Sequence, residues 1–279
     1  MTTLAPAGAR ASGPPASAVR SRELLGLTVA VTDYEGAMDA MDGMVARREQ
    51  GYVVVAPVNA IILAQDDAEM HAAVRGATFA VPDGMPLVWL LRGLGERIDD
   101  RVYGPTLMDR HCARSALLGH RVWLYGGTDD EARADLVRAL TARHPGLQVA
   151  GGFSPPFRPL TAGEEDDVAE RINGDRPDVV WVGTGQPRQE KWMARMRPRL
   201  EAPVLCGVGA AFDFHAGRVP QAPPWMQDRG LEWLYRMAQE PRRLGPRYLR
   251  TNPRFAVAAL RQLARERRGR PSGGAPTHS

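Results

Sequence analysis

The sequence predicts an α/β protein: a Rossmann-like parallel sheet with crossover helices, followed by a basic helical C-terminal appendage. Short apolar runs alternate with longer segments of helical periodicity, which is typical of parallel strands joined by helices. Glycine turns follow several runs, at 126–127, 183–185 and 207–209. In such sheets ligands bind at the ends of strands where turns of this kind lie. From residue 226 onward the chain carries twelve Arg against four acidic residues, so its C-terminal part differs in charge from the rest.

Seven apolar runs, each too short for a helix, are predicted as strands. They are residues 27–31, 52–58, 79–81, 121–125, 147–150, 179–182 and 203–208. Segments of helical periodicity lie between them, over 34–50, 61–75, 87–94, 129–144 and 162–173, and a further helix is predicted to begin at 105. Because the carboxyl ends of parallel strands meet at one edge of the sheet, the loops that follow them should converge there.

The domain organisation follows from composition. Residues 1–22 are rich in Ala, Pro, Ser and Gly and lack the apolar core of a secretory signal, which predicts a disordered segment in a cytoplasmic protein. An α/β core is expected over 23–225, the basic appendage over 226–268 and a disordered tail over 269–279. No apolar run reaches the roughly 18 to 20 residues that span a bilayer. Two cysteines, Cys112 and Cys206, are predicted to be buried and free.

The segment from 178 to 192 combines a strand, a glycine turn and a helix start. Gly183 lets the backbone turn, and Gln186, Gln189 and Glu190 follow within seven residues. Free N–H groups and the helix dipole attract phosphate at such a position. The polar side chains therefore either bind a phosphate-bearing ligand or cap the helix.

Three further side chains follow strand ends, and each has two interpretations. Asn59 either caps a turn or contacts a ligand. Asp83 either caps the next helix or serves as a general base in a partly desolvated cleft. Arg101 either pairs with Asp99 or Asp100, or reaches a phosphate with its planar guanidinium group.

Several functional classes lack their signatures. No G-x-G-x-x-G follows the first strand, and no G-x-x-x-x-G-K-[ST] loop occurs, which argues against an ordinary dinucleotide fold or a phosphate loop. The six His are scattered, and no two Asp stand in a D-x-D spacing, so no metal site and no cofactor is expected. Helix N-termini and Arg are expected to meet the charge of a leaving group.

The appendage carries apolar residues at helical spacing, including Trp233 and Leu234. A break is predicted at Pro241, and a second amphipathic helix from Pro253. Its basic side either faces solvent, lies on anionic lipid, or contacts nucleic acid. The lipid interpretation assigns membrane contact to Arg243, Arg247, Arg250 and Arg254.

Several stretches resemble one known family over about residues 25–255. They are VNAIIL, FAVPDGMPLVW, DRVYGPTLM, LYGG, VVWVGTGQPRQEKWM, GVGAAFDFHAG and GLEWLYRMAQEPRRL. The chain resembles the bacterial WecG/TagA/CpsF glycosyltransferases, which build teichoic acid linkage units and surface polysaccharides on lipid carriers. The resemblance implies a UDP-sugar donor, a polyprenyl-diphosphate-linked sugar acceptor and inversion at the anomeric carbon. It also implies that Asp83 of the PDG motif is the catalytic base.

The same resemblance implies a substrate cleft and a location on the inner face of the cytoplasmic membrane. Substrate contacts are expected from Asn59, Gly84, Arg101, Gly126, Gly127, Gly183, Gln186, Gln189 and Glu190. The resemblance does not decide whether the transferred sugar is N-acetylmannosamine, its uronic acid, glucuronic acid or another hexose. An anionic membrane surface and a possible homo-oligomer are the expected partners, and nucleic acid is not expected. The alternative is a non-catalytic nucleotide-binding module with a basic tail that binds membrane or RNA.

Overall fold

The structure, a computed structural model, describes residues 19–223, 225–226 and 229–269, without the side chain of Arg243. The strands are β1 (Ser21–Leu24), β2 (Leu27–Ala30), β3 (Gly51–Ala56), β4 (Phe79–Pro82), β5 (Arg121–Gly126), β6 (Gln148–Phe153), β7 (Val179–Gly183) and β8 (Val204–Gly207). The helices of the core are α1 (Tyr34–Arg47), α2 (Val58–Asp66), α3 (Ala68–Arg75), α4 (Met85–Gly93), α5 (Gly104–Leu118), α6 (Asp130–Arg143), α7 (Ala162–Asp175), α8 (Arg188–Met196) and α9 (Ala211–His215). Two helices follow, α10 (Glu232–Gln239) and α11 (Pro241–Gly269).

Six strands form one parallel sheet in the order β4-β3-β8-β7-β5-β6. Crossover helices cover both faces, and an apolar cluster packs on each face, with Trp123 in one cluster and Trp181 in the other. Both indole side chains are fully buried. Strands buried on both faces read as continuous apolar runs, so the predicted α/β class with a parallel sheet is confirmed.

The first predicted strand does not join this sheet. Residues 27–30 instead pair antiparallel with β1, with Leu24 opposite Leu27. Leu25 and Gly26 between them have positive φ values, 54° and 87°, as a two-residue hairpin turn requires. Strand β1 begins at Ser21, inside the segment 1–22 for which disorder is expected, and residues 1–18 lie outside the described part of the chain, as do residues 270–279 of the expected tail.

Helical segments also differ from the sequence prediction at two places. The segment 61–75 is two helices, because Asp67 ends α2 and caps α3 by accepting a hydrogen bond from the Met70 N–H at 3.0 Å. Helix α11 is continuous through Pro246 and Pro253, whereas a new helix was expected only from Pro253. Both prolines are exposed, so water can reach the carbonyls that lose their helical partner.

Helix α11 is anchored to the core on one side. Phe255 and Ala259 are buried in the larger apolar cluster, and both Nη atoms of Arg254 donate to Asp66, the Nη2 contact being 2.7 Å. Cys112 and Cys206 are buried and free, as predicted. In the described ranges we find no helix with the length and apolarity needed to cross a membrane.

Candidate active site

Asp83 lies at the carboxyl edge of the sheet, where β3 and β4 end. Ala56 and Pro82 are paired at the ends of the two strands, and the N–H of Asp83 donates to the Ala56 carbonyl at 3.0 Å. Asn59 lies three residues beyond Ala56, in the first turn of α2. Both side chains therefore lie at strand ends, as predicted, and the structure adds that the two strands are neighbours in the sheet.

Asp83 does not cap the helix that follows it. The N-cap of α4 is Gly84, without a side-chain hydrogen bond, whereas Asp83 Oδ1 accepts from the Gly104 N–H at 3.1 Å. Gly104 is the first residue of α5, so the carboxylate faces the N-terminus of a different helix. Burial raises the pKa of Asp83 to about 7; the charge of Arg101 opposes this rise and that of Glu232 adds to it. A carboxyl group with this pKa exchanges protons near neutral pH, as a general base requires.

Arg101 forms an ion pair across the cleft with Glu232 of α10. Both side chains are buried, at 9% and 8% exposure, and the guanidinium carbon lies 4.7 Å from the centre of the Tyr103 ring. Of the two expected partners, Asp100 accepts from the backbone N–H of Arg101, at 2.7 Å. The sequence interpretation missed Glu232, although it lies in the motif EWLYR.

The loop after β7 and the start of α8 form a hydrogen-bonded network with Asn59. Asn59 Nδ2 donates to Gln186 Oε1 at 3.3 Å. The side-chain amides of Gln186 and Gln189 each donate to Glu190 Oε1 at 3.0 Å, and Gln189 Oε1 accepts from the Gly209 N–H. Glu190 is fully buried, and burial raises its pKa. Four predicted polar residues are thus brought together by the fold.

Two of the predicted glycines are required by packing. A Cβ atom on Gly183 would lie 2.6–2.8 Å from the Phe212 ring, and one on Gly126 would lie 2.8 Å from the backbone of Gly183. The first contact would require the Phe212 ring to move, and the second would require the backbone of β7 to move. The surroundings of Gly84 and Gly127 are open, with no atom closer than 3.5 Å to an added Cβ, so close packing does not explain these two.

A cavity of about 280 Å³ opens beside the ends of β5 and β7. The rings of Tyr125 and Trp192 stack at 3.8 Å in its wall, and Arg188 lies 5.1 Å from the ring centre of the exposed Phe157. The exposed Phe157 ring and the Arg188 guanidinium beside it suit a flat ring that carries phosphate. A larger open groove of about 760 Å³ lies between the β1–β2 turn and α11, away from Asp83.

The C-terminal helices contribute more to this edge than the sequence indicates. Besides Glu232, the charge of Arg236 acts on Asp83, and Arg247 Nη2 lies 3.4 Å from Gln186 Oε1. Arg247 was expected at a membrane, but it is half-buried at the cleft. Arg250 and Arg254 contact Asp66 at 3.5 and 2.5 Å, and the side chain of Arg243 lies outside the description.

The family profile described as "Glycosyl transferase WecG/TagA/CpsF family" matches residues 22–269, which include every residue of this cleft. The chain belongs to the WecG/TagA/CpsF glycosyltransferase family.

Three curated relatives share one name, N-acetylglucosaminyldiphosphoundecaprenol N-acetyl-beta-D-mannosaminyltransferase. The protein of Bacillus subtilis (strain 168) is 28% identical over 196 residues, 70% of this glycosyltransferase and 73% of the relative. That of Bacillus spizizenii (strain ATCC 23059 / NRRL B-14472 / W23) is 27% identical over 198 residues, 71% and 74% of the two chains. That of Staphylococcus aureus (strain MW2) is 31% identical over 173 residues, 62% and 65%.

Proposed function

We propose that this glycosyltransferase moves an N-acetylmannosamine-type hexose from a UDP-sugar to a polyprenyl-diphosphate-linked sugar, with inversion at the anomeric carbon. The names of the relatives specify the mannosaminyl group and a diphosphoundecaprenol acceptor for those proteins. The observation that carries the proposal in this chain is Asp83, a carboxyl group with a pKa of about 7 at the carboxyl edge of the sheet.

In the proposed reaction Asp83 removes the proton from the acceptor hydroxyl. The acceptor oxygen forms a bond to the anomeric carbon from one side while the bond to the UDP oxygen breaks on the other, and the proton stays on Asp83. Direct displacement of this kind inverts the anomeric centre. A base matched to neutral pH accelerates such a step by roughly 10²- to 10⁴-fold.

The donor is held by the hydrogen-bonded network that includes Asn59 and Gln186. Gln186 and Asn59 supply hydrogen-bonding groups, and Arg247 lies 3.4 Å from Gln186, which places a cation beside the loop. Polar groups that are already fixed in position stabilise charge developing on the diphosphate without having to reorganise. The cavity beside Tyr125 and Trp192 is the proposed place of the uracil ring.

The lipid-linked acceptor is proposed to approach from a membrane surface along α11. Opposite its buried face, this helix exposes Leu249, Val257 and Leu260, at 76%, 48% and 67%. Their spacing of eight and three residues puts them on one side. Exposed Arg242, Arg261 and Arg265 add positive charge, so the helix has the character of one that lies on anionic lipid.

The test is a panel of UDP-sugars incubated with a synthetic prenyl-diphosphate-linked N-acetylglucosamine, with product detected by mass spectrometry. UDP-N-acetylmannosamine should give a product heavier by one N-acetylhexosamine residue, with the configuration at the new linkage opposite to that of the donor. If the enzyme transfers a different sugar, only the proposed donor sugar is wrong and the proposed reaction stands. Binding of UDP without turnover of any donor would favour the non-catalytic nucleotide-binding alternative.

A further inference from the structure

A second cluster of functional side chains lies at the edge of the sheet opposite Asp83. Asp42 is on α1, His111 is on α5, and His120 comes directly before β5. The amino end of β5 is fixed to that of β7 by the Arg121 N–H, which donates to Asp178 at 2.9 Å. The cluster is therefore separated from the catalytic edge by the length of the strands. Its members are nine and about seventy residues apart in sequence, a spacing that does not indicate a site.

The distances within the cluster are those of ligands around one ion. Asp42 Oδ1 lies 3.2 Å from His111 Nε2 and 3.6 Å from His120 Nδ1, and the three atoms all lie within 4.8 Å of one another. A tetrahedral ion bound at about 2.0 to 2.2 Å by nitrogen and oxygen holds neighbouring ligand atoms roughly 3.3 to 3.6 Å apart. The two measured contacts to the carboxylate oxygen are close to that separation.

These converging atoms are buried without hydrogen bonds. His111 has no exposed surface and Asp42 is 7% exposed. Among the described residues, Asp42 Oδ1, His111 Nε2 and His120 Nδ1 each have no hydrogen-bond partner. Buried polar atoms are nearly always satisfied, so three unsatisfied atoms that face one point indicate a ligand that all three share.

Neighbouring side chains fix the orientation of the His111 imidazole, as is usual for histidines that bind metal. Its Nδ1 lies 3.2 Å from Ser115 Oγ, and its ring packs edge-on against Trp181 with centres 5.5 Å apart. When Nδ1 donates to the hydroxyl, Nε2 is left with its lone pair facing Asp42. A hydrogen bond from the second ring nitrogen fixes the tautomer of metal-binding histidines in this way.

The local charge also favours a dication. Arg114 contacts Asp42 Oδ2 at 3.3 Å, Asp39 at 2.7 Å and Glu35 at 3.8 Å. Three carboxylates against one guanidinium leave a charge of −2, which one divalent ion balances. Imidazole binds a metal ion in its neutral form.

We propose that Asp42, His111 and His120 bind a divalent transition-metal ion, with Zn²⁺ the best match. Two imidazoles and a carboxylate favour Zn²⁺ over Mg²⁺ or Ca²⁺, which prefer all-oxygen sites. The side chain of His120 is 15% exposed, which provides an entry path for the ion. Such an ion joins α1, α5 and β5, so its role is to stabilise the fold at a distance from the transfer reaction.

The experiment uses the full chain without an affinity tag, stripped with chelator and then titrated with Zn²⁺. Plasma mass spectrometry after dialysis should give one zinc per chain, and the melting temperature should rise by several degrees at saturating Zn²⁺. Co²⁺ substituted for Zn²⁺ should give the visible absorption of a low-coordinate nitrogen and oxygen site. Mg²⁺ should leave the melting temperature unchanged.

His120→Ala is the main variant, because His120 is the ligand nearest to solvent and its loss should leave the fold intact. It should lose the bound zinc, the Co²⁺ spectrum and the thermal shift, while His71→Ala on α3 should keep all three. Wild-type protein that retains no zinc and shows no thermal shift would overturn the proposal. Equal zinc content and equal shifts in His120→Ala and wild type would also overturn it.

Discussion

The buried ion pair between Arg101 and Glu232 joins the loop before α5 to the first helix of the C-terminal appendage. Both charges act on Asp83, in opposite directions, and burial outweighs them. The appendage thus sets the electrostatic environment of the proposed base in addition to extending the surface. Three side chains of this cleft and one surface of α11 lead to separate experiments.

Asp83→Asn should reduce transfer by at least about 10²-fold, because the amide cannot accept the proton of the acceptor hydroxyl. Donor affinity should stay within about twofold, since the proposed donor contacts are Asn59, Gln186 and Arg247 and do not include Asp83. Transfer is measured with radiolabelled donor, and donor binding by calorimetry. Asp99→Asn, at an exposed carboxylate of a nearby loop, is the control and should transfer normally. Near-parental turnover of Asp83→Asn would remove Asp83 from the mechanism.

The pH dependence of transfer should report the ionisation of Asp83. Since the ionised form is the base and its pKa is about 7, kcat/KM should fall on the acid side with a midpoint near pH 7. The measurement is a kcat/KM profile from pH 5 to 9 in buffers of constant ionic strength. A flat profile through neutrality would show that no group with this pKa limits the reaction.

The difference in stability between Asp83→Asn and wild type should depend on pH in a defined direction. The pKa of Asp83 is raised in the folded protein from 3.8 to about 7, so the folded state favours the protonated carboxyl. The stability that the protonated Asp83 carboxyl gives the folded wild type is fully present below pH 4 and is lost as the pH rises through 7. Asp83→Asn should therefore be more stable than wild type at pH 8, by on the order of 2 to 4 kcal/mol. Urea unfolding at pH 8 and at pH 4 should show this gain only at pH 8.

The strands of the parallel sheet follow from sequence because most of them are buried local apolar runs. Residues 179–182, for example, are fully buried, and their position beside β8 and β5 is what such a run favours. The partner of Arg101 could not be predicted in this way, because it depends on how α10 returns across the sheet edge, 131 residues later in the chain. The packing reason for glycine at position 183 could not be predicted from sequence either, since only the structure shows that Phe212 occupies the space a side chain would need.

Glu232→Gln should destabilise the protein and shift its pH profile. Loss of one member of a buried ion pair costs about 3 to 5 kcal/mol, because the remaining charge stays buried. Removal of a negative charge that raises the pKa of Asp83 should also move the acid limb of kcat/KM to lower pH. Denaturant unfolding and the pH profile are the two measurements.

The double variant Arg101→Gln/Glu232→Gln should recover much of the lost stability, since no uncompensated charge remains. Glu131→Gln is the control, because the Glu131 side chain is 84% exposed and lies 4.0 Å from its Arg218 partner. A single Glu232→Gln variant that loses less than about 1 kcal/mol would mean that the ion pair is not a stabilising link.

The exposed apolar side of α11 should carry the membrane contact. Leu249→Glu/Leu260→Glu removes two side chains that are 76% and 67% exposed, each of which contributes about 1.5 to 3 kcal/mol when buried in lipid. Sedimentation with anionic liposomes should fall by at least about tenfold, because each 1.4 kcal/mol is a tenfold change. Transfer to a water-soluble, short-chain acceptor should be unchanged, since neither leucine is in the cleft. Leu117→Glu, at an 88% exposed leucine on α5, is the matched control and should bind liposomes as wild type does. If the double variant still sediments fully, the apolar side of α11 does not face the membrane, and the exposed Arg residues would then have to supply the attraction alone.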